Sequence, residues 1–248
     1  MKLYRFGGNA LMENGSLIRK NDLSDNTWEE IAQQIANGTA PSKWVGQTKT
    51  IQTTRGEKTF LCVDNTYGRY QKADGTYTTL TFVYFGNYYD MFGAISAPMS
   101  STSCLYANSN QARTCSNYLR NYLTDTSLKK VLQKTKCKYT NIDENQYLDY
   151  DNMLDFECEF FTPAVAEIVS IPSYMDYIHE TISYLTGNEL KRYSYFVANP
   201  YAGNGYNMWT RTIGGYTSNA WETIKTTGGY TTTIGTSQLS GFMIAFAL

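Results

Sequence analysis

The chain has 248 residues, with 21 Lys+Arg against 22 Asp+Glu and a formal net charge of −1. So even a balance leaves no electrostatic footprint for a phosphate backbone or an anionic bilayer, which argues against nucleic acid and membrane as partners. No run reaches the ~18 apolar residues of a membrane-spanning helix, and the opening Met1-Lys2-Leu3-Tyr4-Arg5-Phe6-Gly7-Gly8-Asn9 lacks the apolar core of a secretory signal. A single histidine, His179, excludes any site built on two imidazoles.

Aromatic residues make up 15% of the chain, with 22 Tyr against 11 Phe and 4 Trp, while charged residues make up only 17%. Tyr, Asn, Thr, Ser and Gly must therefore cover much of the surface. Tyr combines rigid apolar area with a polar tip, which suits a recognition surface, and it equally suits a strand-rich protein. Cys62, Cys104, Cys115, Cys137 and Cys158 form an odd, widely spaced set without a C-x-x-C pair. They read as reduced, mostly buried thiols of a protein folded in the cytoplasm, not as a zinc or redox motif.

Residues 1–24 are polar, carry the turn signals Gly7-Gly8 and Asn14-Gly15, and read as an attachment or oligomerisation segment. The main domain is expected over 25–248. Thr27 and Glu30 have the spacing of a capping box, and Trp28, Ile31, Ala32 and Ile35 follow at helical period until Gly38. Residues 49–52 and 59–63 read as short strands. Asp74-Gly75 reads as a hairpin turn joining 70–72 to 77–85, with Leu80, Phe82 and Tyr84 on one face. Residues 86–114 read as a long polar loop, and 116–123 and 127–133 as helices. The acidic run Asp143, Glu144, Asp149, Asp151, Asp155, Glu157 and Glu159 reads as a solvated loop giving way to a strand over 157–161. Thr162-Pro163 reads as an N-cap with proline at the first helical position, and a further helix is expected from Ser173 to Leu185. Glycine pairs divide the last part of the chain into strands over 208–212, 221–226, 230–234 and 242–248, the last stitched into the sheet. Helices early and strands late, without βαβ alternation, predict an α+β fold.

Some segments carry a family resemblance. Thr27-Trp28-Glu29-Glu30-Ile31 with Trp44-Val45-Gly46-Gln47-Thr48-Lys49 opens it, and Ser116-Asn117-Tyr118-Leu119-Arg120-Asn121-Tyr122-Leu123 supplies a central helix. Met208-Trp209-Thr210-Arg211-Thr212 and Gly241-Phe242-Met243-Ile244-Ala245-Phe246-Ala247-Leu248 close it. Together they resemble an uncharacterised family of phage and prophage-bearing bacterial genomes, one similar to C-type-lectin-like domains and to the formylglycine-generating sulfatase-modifying fold. Met243-Ile244 stands where that family's ending has Arg-Pro, and Thr210 where it has Leu. The resemblance implies a C-type-lectin-like domain, with mixed helices around a twisted, mainly antiparallel sheet bearing long loops, and makes Trp28, Arg120, Trp209 and Arg211 structural. Trp209 and Arg211, two apart in a strand, are expected on one face, the guanidinium buried and hydrogen-bonded.

The candidate ligand-binding residues are Tyr201, Asn204 and Tyr206, then Tyr216, Asn219 and Trp221, then Tyr230 and Thr232, aromatics alternating with Gly, Asn and Thr. The alternative is ordinary β-turns with structural tyrosines. No catalytic residue is expected. His179, with Asp176 one turn earlier, reads as a solvated surface histidine, and no Cys follows Cys158 to supply the late cysteine pair of the formylglycine-generating enzymes. The acidic run lacks the glycine and spacing of an EF-hand, so no metal or cofactor is expected. The expected protein is a virion component (tail, baseplate or head fibre) that recognises a host surface glycan or protein. It is expected to dock to other virion proteins through residues 1–24 and to form a homo-oligomer. A structural decoration or connector protein and a surface-glycan hydrolase are the alternatives.

Overall fold

A computed structural model describes residues 4–6, 9–11, 17–18, 22–86, 106–113, 115, 119–142, 148–169, 191–200, 208–213, 220–224, 231–235 and 241–248. Strands β1 (Tyr4–Phe6), β2 (Asn9–Leu11) and β3 (Leu17–Ile18) form a small antiparallel meander inside the expected attachment segment. Leu23 already lies in the main core, and its backbone N–H donates to Gln47 Oε1 at 2.7 Å.

Helix α1 (Trp28–Ala36) begins at the capping box: Glu30 N–H donates to Thr27 Oγ1 at 3.1 Å, and Thr27 N–H donates to Glu30 Oε2 at 2.8 Å. Its apolar stripe turns Trp28 and Ile31 inward, and Gly38 follows it at φ +64, where a side chain would be strained. Trp28 meets Phe82 and Phe246 edge-on at 5.2 and 5.5 Å, while its indole N–H donates to Asp125 Oδ2 at 3.1 Å.

Beyond α1 come β4 (Thr48–Thr53), β5 (Gly56–Asp64), β6 (Gln71–Lys72) and β7 (Thr81–Gly86). The short helices α2 (Asn110–Arg113), α3 (Leu119–Tyr122) and α4 (Thr126–Val131) lead to the hairpin of β8 (Thr135–Ile142) and β9 (Leu148–Cys158). Helices α5 (Val165–Ile168) and α6 (Ser194–Ala198) precede β10 (Met208–Ile213), β11 (Ala220–Ile224), β12 (Thr231–Gly235) and β13 (Gly241–Ala247). The principal sheet has seven strands in the order β12-β11-β10-β13-β7-β5-β4, antiparallel except where β10 meets β13; a smaller sheet runs β6-β8-β9. This is an α+β fold.

Strand alternation divides the interior in two. Phe60, Cys62, Leu80, Phe82, Tyr84, Phe242, Ile244 and Phe246 face α1, Trp44, Leu123 and Leu128. Val63, Val83, Met243, Ala245 and Ala247 face α5, α6 and the β8–β9 hairpin. Every residue of β13 is buried, as its uninterrupted apolar sequence requires of a strand covered on both faces.

Several expectations are corrected. The acidic run is not a solvated loop from 143 to 155: residues 148–158 form β9. Leu148, Tyr150, Leu154, Phe156 and Cys158 alternate there with acidic positions, and Lys138 answers Asp155 across the hairpin at 2.9 Å. Thr162-Pro163 does not start a helix. Thr162 N–H donates to the Tyr106 hydroxyl and the Pro163 carbonyl accepts from Arg211 N–H, so the segment stays extended and α5 begins at Val165. The Asp74-Gly75 turn forms with Gly75 at φ +86, but its limbs are brief: Gln71 bridges Tyr77, and β7 starts only at Thr81. The helix expected over 127–133 runs from Thr126 to Val131, capped by the Asp125 carboxylate accepting from Leu128 N–H, and within 116–123 the described helix is Leu119–Tyr122. The helix expected from Ser173 to Leu185, with His179 and Asp176, lies outside the described residues, as does most of the loop expected over 86–114.

Candidate functional site

Strands β10, β11 and β12 form an antiparallel meander at one border of the principal sheet. Their anchorage begins at a fork. Met208 and Trp209 pair with Gly241 and Phe242 of β13; beyond them, Phe161 takes over the edge of β13 through reciprocal backbone bonds with Ala245, and Pro163 accepts from Arg211. The extended segment 161–163 thus wedges between β10 and β13, and the register of β10 slips between Trp209 and Ile213. That slip interrupts the alternation expected to put Trp209 and Arg211 on one face. Trp209 sits at the register position opposite Phe242 of the first core, whereas the Arg211 guanidinium lies over Phe161 of the second.

The wedge delivers α5, and with it Glu167, to Arg211. The two side chains are 0% and 1% exposed and make a two-pronged ion pair at 2.8 and 2.9 Å. Arg211 also donates to the carbonyls of Lys138 and Thr162, each at 2.8 Å. Glu167 accepts in addition from the Tyr70 hydroxyl at 2.6 Å, the Tyr193 hydroxyl at 3.1 Å and Ala164 N–H at 2.8 Å. Beside it, Arg69 donates to Asp64 Oδ2 at 2.6 Å and to the Lys191 carbonyl, and stacks over the Tyr193 ring. One polar network therefore ties together α5, α6, β5, β8, β10 and the 65–80 hairpin.

Burial pushes the Glu167 carboxyl up, but the Arg211 guanidinium and the donors around it outweigh burial and hold it below the ordinary glutamate range. Burial works against the Arg211 charge, and Glu167 more than restores it. Burial, reinforced by the Glu167 charge, raises the Tyr70 and Tyr193 hydroxyls. With both charges sealed from solvent and bonded within the protein, this network can hold strands in place but cannot reach a substrate. Among the described residues, no group of His, Cys, Asp and Glu is arranged to hold a metal ion.

Of the residues expected to bind ligand, Tyr201, Asn204, Tyr206, Tyr216, Asn219 and Tyr230 lie outside the described residues. The backbone of Trp221 lies in β11 and that of Thr232 in β12. Thr223 is opposite both Trp209 and Thr232, so positions 209, 221 and 232 share one face of the sheet. Topology also sorts the connecting segments. Residues 201–207 and 225–230 adjoin the end of the meander where Met208 pairs with Ile224, and 214–219 adjoin the opposite end, where Ile213 pairs with Trp221. Over the three steps of β11 from Trp221 to Ile224 these ends are about 10 Å apart. Among the residues expected to be structural, Trp28 and Arg211 are buried, while Arg120 is exposed and pairs with Glu159. Sequence reasoning missed Glu167, although a lone carboxylate in Ala164-Val165-Ala166-Glu167-Ile168-Val169 calls for a buried cation.

No family model, curated protein or solved structure matches the chain.

Proposed function

We propose that this chain is a non-enzymatic recognition protein of a phage particle, a tail, baseplate or head-fibre component. Its C-type-lectin-like domain would present the aromatic segments of 201–233 to a host surface glycan or protein. The observation that carries the reading is the junction of composition and anchorage. The Tyr-, Gly-, Asn- and Thr-rich segments connect strands of a meander whose first strand is fixed by a buried, two-pronged ion pair. Rigid strands carrying aromatic connections lower the ordering cost of binding, which is what a weak, repeated contact needs. Residues 1–24 dock the chain to the particle or to sister chains, and a symmetric homo-oligomer multiplies individually weak contacts.

The test is adsorption of purified protein to a panel of bacterial strains, wild type against the combined Tyr216→Ala, Trp221→Ala and Tyr230→Ala variant. Loss of adsorption with unchanged folding is expected; unchanged adsorption overturns the assigned surface.

A further inference from the structure

Tyr67 and Tyr77 are 68% and 44% exposed and face each other across the 65–80 hairpin, ring centroids 6.1 Å apart and planes inclined at 63°. Their support is rigid. Gly68 N–H donates to the Thr78 carbonyl at 3.0 Å, Thr78 N–H to the Tyr70 carbonyl at 2.9 Å, and Lys72 N–H to the Thr76 carbonyl at 2.7 Å. Arg69 and Tyr70, on the same limb as Tyr67, are buried in the Glu167–Arg211 network, so the hairpin is moored to the interior while both rings point away from it.

Along the chain the two tyrosines are flanked by polar residues, with Asn65, Thr66, Gln71 and Thr79 half-buried, and Val197 on α6 is the remaining large apolar side chain exposed among the described residues. A specific protein interface buries about 800 Å² on each partner, far more than two rings present. Two exposed rings inclined to each other, on a stretch of chain rich in polar residues, instead match a single sugar ring. Its C–H face is weakly positive and stacks on the negative face of an arene, while its hydroxyls need both donors and acceptors.

The hairpin's place in the sheet adds to this. Thr79 and Leu80 N–H both donate to the Leu248 carbonyl, so the hairpin hangs at the Leu248 end of β13. Because β13 runs parallel to β10, that is also the end where β10 passes into residues 214–219. We propose that Tyr67 and Tyr77 form a pyranose-binding corner at the Leu248 end of the sheet. The inference rests on the recognition function proposed above and assigns it a ligand class.

The test is a printed array of purified bacterial capsular polysaccharides, lipopolysaccharide O-chains and wall teichoic acids, probed with full-length protein and read beside adsorption to cells. For any glycan bound by the wild type, the Tyr67→Ala/Tyr77→Ala variant should lose about tenfold or more in affinity, whereas Tyr67→Phe, which keeps the stacking face, stays near wild type. Thermal melts confirm that these surface variants fold. Unchanged glycan binding by Tyr67→Ala/Tyr77→Ala, with binding lost in the Tyr216→Ala/Trp221→Ala/Tyr230→Ala variant, overturns the corner and leaves the recognition function standing. Adsorption to cells without binding to any glycan overturns the sugar as ligand and points to a protein receptor. Binding to neither overturns both.

Discussion

Replacing Glu167 by Gln keeps the side chain's shape and removes its charge, which isolates what the ion pair contributes. In the native protein the carboxylate accepts from Arg211, Tyr70, Tyr193 and Ala164 N–H, all within 3.1 Å. A glutamine amide turns an N–H₂ donor toward one of these donors and leaves the Arg211 charge buried without a counter-charge. Breaking a buried pair from one side costs about 3–5 kcal/mol. That is a large share of the roughly 5–15 kcal/mol that holds a domain folded. At about 2–4 °C per kcal/mol for a chain of this size, the melting temperature should fall by about 6–20 °C. Thermal and urea unfolding followed by circular dichroism measures it. The paired change Glu167→Leu/Arg211→Met removes both charges together but leaves Ala164 N–H, the Tyr70 and Tyr193 hydroxyls and the Lys138 and Thr162 carbonyls short of partners, so it should recover only part of the loss. A loss below about 1 kcal/mol for Glu167→Gln would refute the reasoning, since exposed pairs already contribute that much.

Three further outcomes follow from the same geometry. The Glu167 carboxyl is held below its ordinary value near 4.5, so its contribution is full above that pH and lost as pH falls through the lower folded-state value; the stability gap between wild type and Glu167→Gln should be constant from pH 6 to 8 and narrow below about 4.5 in pH-dependent urea melts. Burial pushes the Cys62 and Cys115 thiols up to about 12, and Cys137 and Cys158 are buried as well, so a Cys104→Ser variant should leave a thiol reagent unconsumed at pH 8 until denaturant is added. At Gly86, an added Cβ would lie 2.5 Å from Cζ of the buried Phe242 ring, so Gly86→Ala should cost about 1–3 kcal/mol in urea unfolding.

The sequence was most legible where one local interaction decides the structure. The Thr27–Glu30 box marks the start of α1 within four residues of sequence. The apolar run of β13 could belong only to a strand covered on both faces. Reading failed where a distant partner decides. The acid-rich stretch 148–155 looked solvated because charge density hid its two-residue period, and the facing strand that makes the acidic side useful lies on the other limb of the hairpin. Thr162-Pro163 carries the chemistry of a helix start, yet Tyr106 and Arg211 hold it extended from far along the chain. The slip in β10 follows from the wedge of 161–163, which no local pattern announces. Of the candidate site, the strands that frame it were legible. Its division between opposite ends of the meander emerged only with the strand order.

The proposed recognition function requires that the late tyrosines face solvent from a fixed β platform. Dye-sensitised polarisation of tyrosine rings by NMR measures their exposure, with assignments from single Tyr→Phe variants. Tyr201, Tyr206, Tyr216 and Tyr230 should polarise as strongly as the exposed Tyr67 and Tyr77, while the buried Tyr70, Tyr106 and Tyr193 stay silent. Signals from Tyr67 and Tyr77 with silence from all four late rings would contradict it.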